Sequence, residues 1–240
     1  MGWQRPSEPT IPTVWYTFQA KDPDNGDQLA TYRVEDLTED RYDDMVRHYT
    51  ENFVKDEPLS ENKQLFQDEL SMAEITGFWQ WCFEQKMTIV CYKEGSDEIV
   101  GANLLHVKQA DDNASWDMIQ SKKIHDIIAI NEYMTDQCSI FKNHNVDRYL
   151  TAYGLAINHR YRGRGIATEI LKARIPLCRA FGIRVTATNF TAIGSQKAAE
   201  KVGFKSDLEV TYDDFAKMGP RYAFPGIKSK SLNLMSLIIE

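Results

Sequence analysis

Arg160-Tyr161-Arg162-Gly163-Arg164-Gly165-Ile166-Ala167 lies between a run that reads as a strand, Tyr149–Ile157, and one that reads as a helix, 166–181. A helix N-terminus leaves several backbone N–H groups unpaired and carries partial positive charge. Two glycines remove side chains, so an anion can come close to those N–H groups. Three arginines add positive charge in a chain whose formal charge is −7, from 28 Lys+Arg and 35 Asp+Glu. The chemistry implied is pyrophosphate binding. The alternative is a basic surface turn that uses glycine for geometry.

Outward from this segment the chain alternates strands and helices, an α/β pattern. Upstream, Ala30–Val34 reads as a strand. Tyr42, Met45, Val46, Tyr49 and Phe53 recur at helical spacing over 39–53, with Thr38 as N-cap. Pro58 breaks that helix. A second helical stretch over 61–85 ends in Phe78, Trp79, Trp81 and Phe83, of which Trp79, Trp81 and Phe83 suit either a pocket wall or the core. Thr88–Tyr92 and Glu98–Val107 read as a hairpin turning at Glu94-Gly95-Ser96-Asp97. An insertion over 108–147 carries a helix with Ile124, Ile127, Ile128, Tyr133 and Met134. Downstream, helix 166–181 stops at Gly182. A strand over Ile183–Thr188, a helix over 195–202 ending at Gly203-Phe204, and strands near Leu208–Tyr212 and Leu232–Ile239 follow. Residues 1–26 read as an irregular arm packing through Trp15, and 27–240 as one domain.

Three phosphate loops compete for the glycine segment. A P-loop needs GxxxxGK[ST], and no Lys-Ser or Lys-Thr follows Gly165. A dinucleotide fingerprint needs Gly or Ala in its sixth place, where Thr168 stands. The third, Arg/Gln-x-x-Gly-x-Gly/Ala, is satisfied by Arg160, Gly163 and Gly165. It is the acetyl-CoA loop of the GNAT N-acetyltransferases, and the chain resembles that superfamily over about 30–239. Glu200-Lys201-Val202-Gly203-Phe204 is similar to the "EKLGF" end of the superfamily's last helix. The resemblance implies a single mixed sheet of about seven strands with helices on both faces. It makes Tyr149–Ile157 and Ile183–Thr188 a splayed strand pair holding the pantetheine arm. Cofactor contacts then fall on the backbone of Leu155, Ala156 and Ile157, and on Arg162, Gly163, Arg164, Gly165, Ile166 and Ala167.

Lys55-Asp56-Glu57-Pro58-Leu59 resembles the "DEPL" segment of insect-type arylalkylamine N-acetyltransferases, which acetylate dopamine, serotonin, tryptamine, tyramine and related amines. The resemblance implies Glu57 as general base, assisted by two hydroxyls that fall on Thr191 and Ser195. The family has Ser more often at the first, so Thr191 is a conservative departure. Ser195 would also reach the cofactor, or serve simply as helix N-cap. An arylalkylammonium has a pKa near that of Lys, about 10, and must lose a proton before attacking a thioester. A buried carboxylate can accept it, because desolvation favours the protonated form. Many superfamily members protonate the departing thiolate with a Tyr, as in "LYEKLGF". Ala199 stands at that position here. The expected reaction is direct attack in a ternary complex. The alternatives are another acceptor (polyamine, histamine or hydrazine), a longer acyl donor, or a non-catalytic acyl-CoA-binding module.

Composition sets the outer limits. Hydrophobic residues make up 42% of 240, charged residues 26% and aromatics 11%, so a disordered chain is excluded. Four cysteines without CxxC spacing exclude a disulfide scaffold. His48, His106, His125, His144 and His159 show no ligand spacing, and no metal is expected. His159 adjoins the glycine segment and reads as structural. The acidic balance argues against nucleic acid or an anionic membrane surface. No apolar leader or spanning segment is read, so a cytoplasmic monomer is expected, with the sequons Asn113-Ala114-Ser115 and Asn189-Phe190-Thr191 idle.

Overall fold

The computed structural model describes residues 2–26, 28–112 and 116–240; the sequon Asn113-Ala114-Ser115 lies outside the described residues. Eight strands form one sheet: β1 (Val14–Lys21), β2 (Leu29–Asp36), β3 (Ile89–Lys93), β4 (Ile99–Gln109), β5 (Arg148–Ile157), β6 (Val185–Phe190), β7 (Lys205–Thr211) and β8 (Ser231–Ile238). Their order is β1-β2-β3-β4-β5-β6-β8-β7. All neighbours are antiparallel except β5 and β6.

The first strand corrects the expected irregular arm and raises the strand number from about seven to eight. Tyr16, Phe18 and Ala20 alternate with polar residues, and Phe18 and Ala20 turn into the core. Phe18 stacks on Tyr32 of β2 at 5.3 Å. The Pro- and Asp-rich flanks hid this period-two pattern. At its start, Trp15 packs as expected: its Nε1 donates to Asp36 (2.7 Å), and its ring lies 5.9 Å from Phe181.

Helices cover both faces. On one, α6 (Ile166–Ala180) packs Ile166, Ile170, Ala173 and Leu177 against Val34, Ile89, Leu105 and Leu150. On the other, α1 (Tyr42–Asn52) and α3 (Glu69–Glu84) bury Met45, Tyr49, Trp79 and Phe83 against Val90, Ala102 and Leu104. A helix in the insertion, α4 (Lys122–Gln137), completes that second face with Ile130 and Met134. The expected helix over 61–85 is broken. It comprises α2 (Pro58–Asn62), a tight turn at Leu65–Gln67, and α3. Gln64 takes the left-handed conformation (φ 53°), and the Asp68 carboxylate accepts from Ser71 N–H (2.8 Å) to start α3 afresh. Thr38 makes no side-chain cap; a short turn at Glu39–Arg41 leads into α1 instead.

Two irregularities in the middle of the sheet prepare a site. The β4–β5 register slips between Leu104↔Gly154 and Leu105↔Ala152, leaving Tyr153 as a bulge. The Tyr49 hydroxyl from α1 mends it, donating to Gly154 C=O (2.9 Å) and accepting from Leu104 N–H (2.9 Å). Only glycine fits at 154, where a Cβ would meet the Tyr49 ring at 2.6 Å. Second, β5 and β6 pair only at Leu150↔Thr186. Beyond that pair the two strands part.

Candidate active site

The parted strands run parallel, so both C-terminal ends lie at one edge, where open α/β sheets bind ligands. From the end of β5, a tight turn at His159–Tyr161 leads through the glycine segment into α6. Gly163 and Gly165 have φ of 76° and 81°, a region costly for other residues, and a Cβ on either would face open space. The backbone N–H groups of Gly163, Gly165, Ile166 and Ala167 have no acceptor among the described residues. The segment therefore has the donors and the room for a diphosphate at a helix N-terminus. Leu155, Ala156 and Ile157 pair with β4 on one side only, and their other edge faces the gap.

The three arginines do not act together. Arg160 turns away to Asp24, in the β1–β2 turn, and to Glu98. Arg162 pairs with Asp56 (2.8 Å) and donates to the carbonyls of Asn52 and Ile157. Arg164 donates to the carbonyls of Arg160 and Arg162, shaping the loop. His159 Nε2 lies 3.1 Å from Asp56, and its backbone N–H donates to Asn52. Both contacts fit the structural reading of this histidine.

The second half of the site stands at the end of β6. Glu57 is the N-cap of α2 and accepts from the N–H groups of Leu59 (3.1 Å) and Ser60 (2.8 Å). It also accepts from the hydroxyls of Ser60 (2.7 Å) and Thr191 (2.6 Å). Four donors hold this half-buried carboxylate in one orientation. Pro58 in the first turn of α2 fixes the backbone just after Glu57. Thr191 follows β6 directly, and its carbonyl accepts from the Tyr212 hydroxyl (3.1 Å). Burial, then the Glu57 charge, pushes that phenol up, so it stays protonated.

Ser195 is not brought to Glu57. The last helix, α7 (Ile193–Val202), starts two residues earlier than expected with Ala192 as its N-cap. Ser195 therefore sits inside the first turn, which corrects the N-cap reading, and its hydroxyl donates to Ala192 C=O (2.8 Å). Ala199 is fully buried, and α7 carries no tyrosine. Sequence reasoning missed Ser60 and Tyr212. The Ser three residues after Glu57 had a detectable signal, the spacing of an N-cap box; Tyr212 had none, being placed by β7 and β8.

The aromatics divide between wall and core. Trp79 and Phe83 are buried in the core. Trp81 is half exposed and stacks on Phe78 (5.7 Å) and His106 (4.6 Å). Phe78 also meets the bulge residue Tyr153 edge-on (4.9 Å) and Trp116 (5.8 Å). Burial lowers the pKa of His106 to about 4, so this ring is neutral. Among the described residues, no group of three or more His, Cys, Asp and Glu is arranged to hold a metal. No helix among them is long and apolar enough to cross a membrane.

A split mixed sheet, a glycine loop at one strand end and a held carboxylate at the next suit an acyl-group transferase. The family model for the acetyltransferase (GNAT) family matches residues 42–204, more than half the chain, and the chain belongs to that family. A crystal structure carrying the name arylalkylamine N-acetyltransferase 7, from the yellow fever mosquito Aedes aegypti, is 43% identical, with a TM-score of 0.95 over 99% of this chain and 100% of that one. Arylalkylamine N-acetyltransferase 2 from Aedes aegypti is 22% identical (TM-score 0.78, covering 87% and 99%). A polyamine N-acetyltransferase of Drosophila melanogaster is 15% identical (TM-score 0.72, covering 87% and 100%). The last two show the shared fold alone. No curated protein matches.

Proposed function

We propose that this acetyltransferase moves an acetyl group from acetyl-CoA to the primary amine of an arylalkylamine, by direct attack in a ternary complex. The observation that carries the reading is the 2.6 Å bond between Thr191 and Glu57, made at the mouth of the gap whose other lip leads to the anion loop. The name of the mosquito protein at 43% identity supports the same acceptor class.

Acetyl-CoA supplies the thioester carbonyl. The free N–H groups of Gly163, Gly165, Ile166 and Ala167 take the diphosphate, and Arg162 and Arg164 add charge beside it. Leu155, Ala156 and Ile157 offer backbone groups along the gap. Glu57 accepts the ammonium proton, directly or through water, while Thr191 holds the carboxylate in place. Ser195, in the first turn of α7, is the hydroxyl assigned to the departing sulfur. The aromatic wall of Phe78, Trp81, Trp116 and Tyr153 suits an aryl ring. A thiol-release assay with dopamine, serotonin, tryptamine, tyramine and the aliphatic polyamine spermidine tests the reading. Turnover of the aryl amines supports it. Turnover of spermidine alone moves the acceptor, and acetyl-CoA binding without CoA release with any amine makes the chain a binding module.

A further inference from the structure

Arg174 is fully buried and has no carboxylate partner among the described residues. A buried cation without a counter-charge is costly. Its surroundings are hydroxyls, an amide and a ring. Nε donates to Asn103 Oδ1 (2.8 Å), and Nη1 donates to Thr186 (3.2 Å) and Thr188 (2.9 Å). The guanidinium lies 5.7 Å from the Phe204 ring centre. Cys178 and Tyr49 are the titratable groups that face it, and burial pushes both up, so neither supplies negative charge. Nη2 is buried and has no partner among the described residues.

The location gives this charge its meaning. Asn103 is on β4 and donates in turn to Gly154 C=O at the β5 bulge (2.5 Å), whereas Thr186 and Thr188 are on β6. Arg174 thus spans the β5–β6 gap from the α6 side, just past the single pair Leu150↔Thr186. It lies eight residues after Ile166, roughly 12 Å along the helix axis from the anion loop. A donor anchored by its diphosphate on that loop would extend down the gap toward this guanidinium. The opposite lip carries Thr191 and Glu57.

We propose that Arg174 supplies the positive charge that receives the CoA sulfur. The inference rests on the acetyl-CoA reading above. As the amine nitrogen bonds the carbonyl carbon, the carbon–sulfur bond breaks and its electron pair goes to sulfur. One ammonium proton goes to Glu57, the second passes from the nitrogen of the new amide to solvent water, and sulfur departs as thiolate. A fixed, desolvated cation stabilises that charge as it develops. It also accounts for Ala199: with the thiolate stabilised in place, no phenol is needed on α7 to protonate it.

The test is the ultraviolet thiolate absorbance of bound CoA as a function of pH, on the full chain, with CoA binding followed separately by calorimetry. A free thiol titrates near about 8.5. The thiol of CoA bound to the native protein should titrate at least one unit lower, a tenfold gain in thiolate acidity. Arg174→Met should abolish that shift and Arg174→Lys should keep most of it. A purely structural strut leaves the thiol unmoved in all three, and an unshifted native thiol, or a folded methionine variant that keeps the shift, overturns the proposal. If the methionine variant does not fold, Asn103→Asp sets a counter-charge beside Nε without emptying the core. It must raise the bound thiol, and an unmoved thiol overturns the proposal equally. Absence of any CoA binding by the native protein overturns the acetyl-CoA reading as well; normal binding with an unshifted thiol overturns this inference alone.

Discussion

Arg162 of the anion loop is ion-paired with Asp56, the residue immediately before Glu57, at 2.8 Å. One bond therefore joins the two halves of the site. Both partners are more than a third exposed, so the pair adds little to stability, about 0–1 kcal/mol. Under the acetyl-CoA reading proposed above, its consequence is competition: a diphosphate arriving at the loop would meet an arginine already committed to a carboxylate, with a second negative charge beside it. Asp56→Asn frees Arg162 and removes that charge. Calorimetry should show acetyl-CoA binding a fewfold tighter, with an unfolding midpoint close to native. Weaker binding would mean that Asp56 instead holds Arg162 in its productive orientation.

Gly165→Glu tests the loop itself. The substitution puts a side chain into a left-handed backbone position and a like charge where the diphosphate belongs. We expect acetyl-CoA affinity to fall tenfold or more, at least ~1.4 kcal/mol. Circular dichroism checks that the protein is folded. Native affinity in a folded variant would remove the anion-loop assignment.

The loop was readable because its chemistry is local: glycines, arginines and a helix start lie within eight consecutive residues. Glu57 was readable for a similar reason, since Pro58 and the residues around it form one short motif. The link from Arg162 to Asp56 was not, because the partners lie 106 positions apart in the chain and their meeting depends on how α1 packs on β5. Arg174 was hidden more deeply. In sequence it is one arginine on an amphipathic helix, where a solvent-facing position is the ordinary reading. Strand β1 was missed because its alternation is short and enclosed by turn-forming residues, and Ser195 was misplaced because a helix end without a capping side chain leaves no mark at Ala192.

Two buried histidines are expected to make the fold acid-sensitive. Burial lowers His48 and His106 from 6.5 to about 4. A histidine depressed in the folded state contributes stability above its unfolded pKa and loses it as pH falls toward the folded value. The window is therefore pH 6.5 down to about 4, and each residue can account for up to roughly 3 kcal/mol. Denaturant melts at pH 7, 5.5 and 4.5 should show a steep loss across this window. His106→Gln should flatten it. Equal stability at pH 7 and 4.5 would refute the linkage.

Glu57, Thr191 and Ser195 make separable predictions. Glu57→Gln keeps the shape and removes the proton acceptor, and general-base catalysis contributes about 10²- to 10⁴-fold. The value of kcat/KM for the amine should fall by that factor, while acetyl-CoA affinity measured by calorimetry stays near native. Thr191→Ser keeps the hydroxyl that donates to Glu57 and should retain activity within a fewfold; Thr191→Val removes the bond and should lower kcat/KM by about tenfold or more, the loss of a charged hydrogen bond. Ser195 donates to Ala192 C=O rather than to Glu57, so Ser195→Ala should leave the pH dependence of the amine step unchanged and lower kcat alone. A Glu57→Gln protein that binds acetyl-CoA and turns over within a fewfold of native would remove Glu57 as the base. His159 would take its place as candidate, because its Nε2 already meets the neighbouring Asp56 at 3.1 Å.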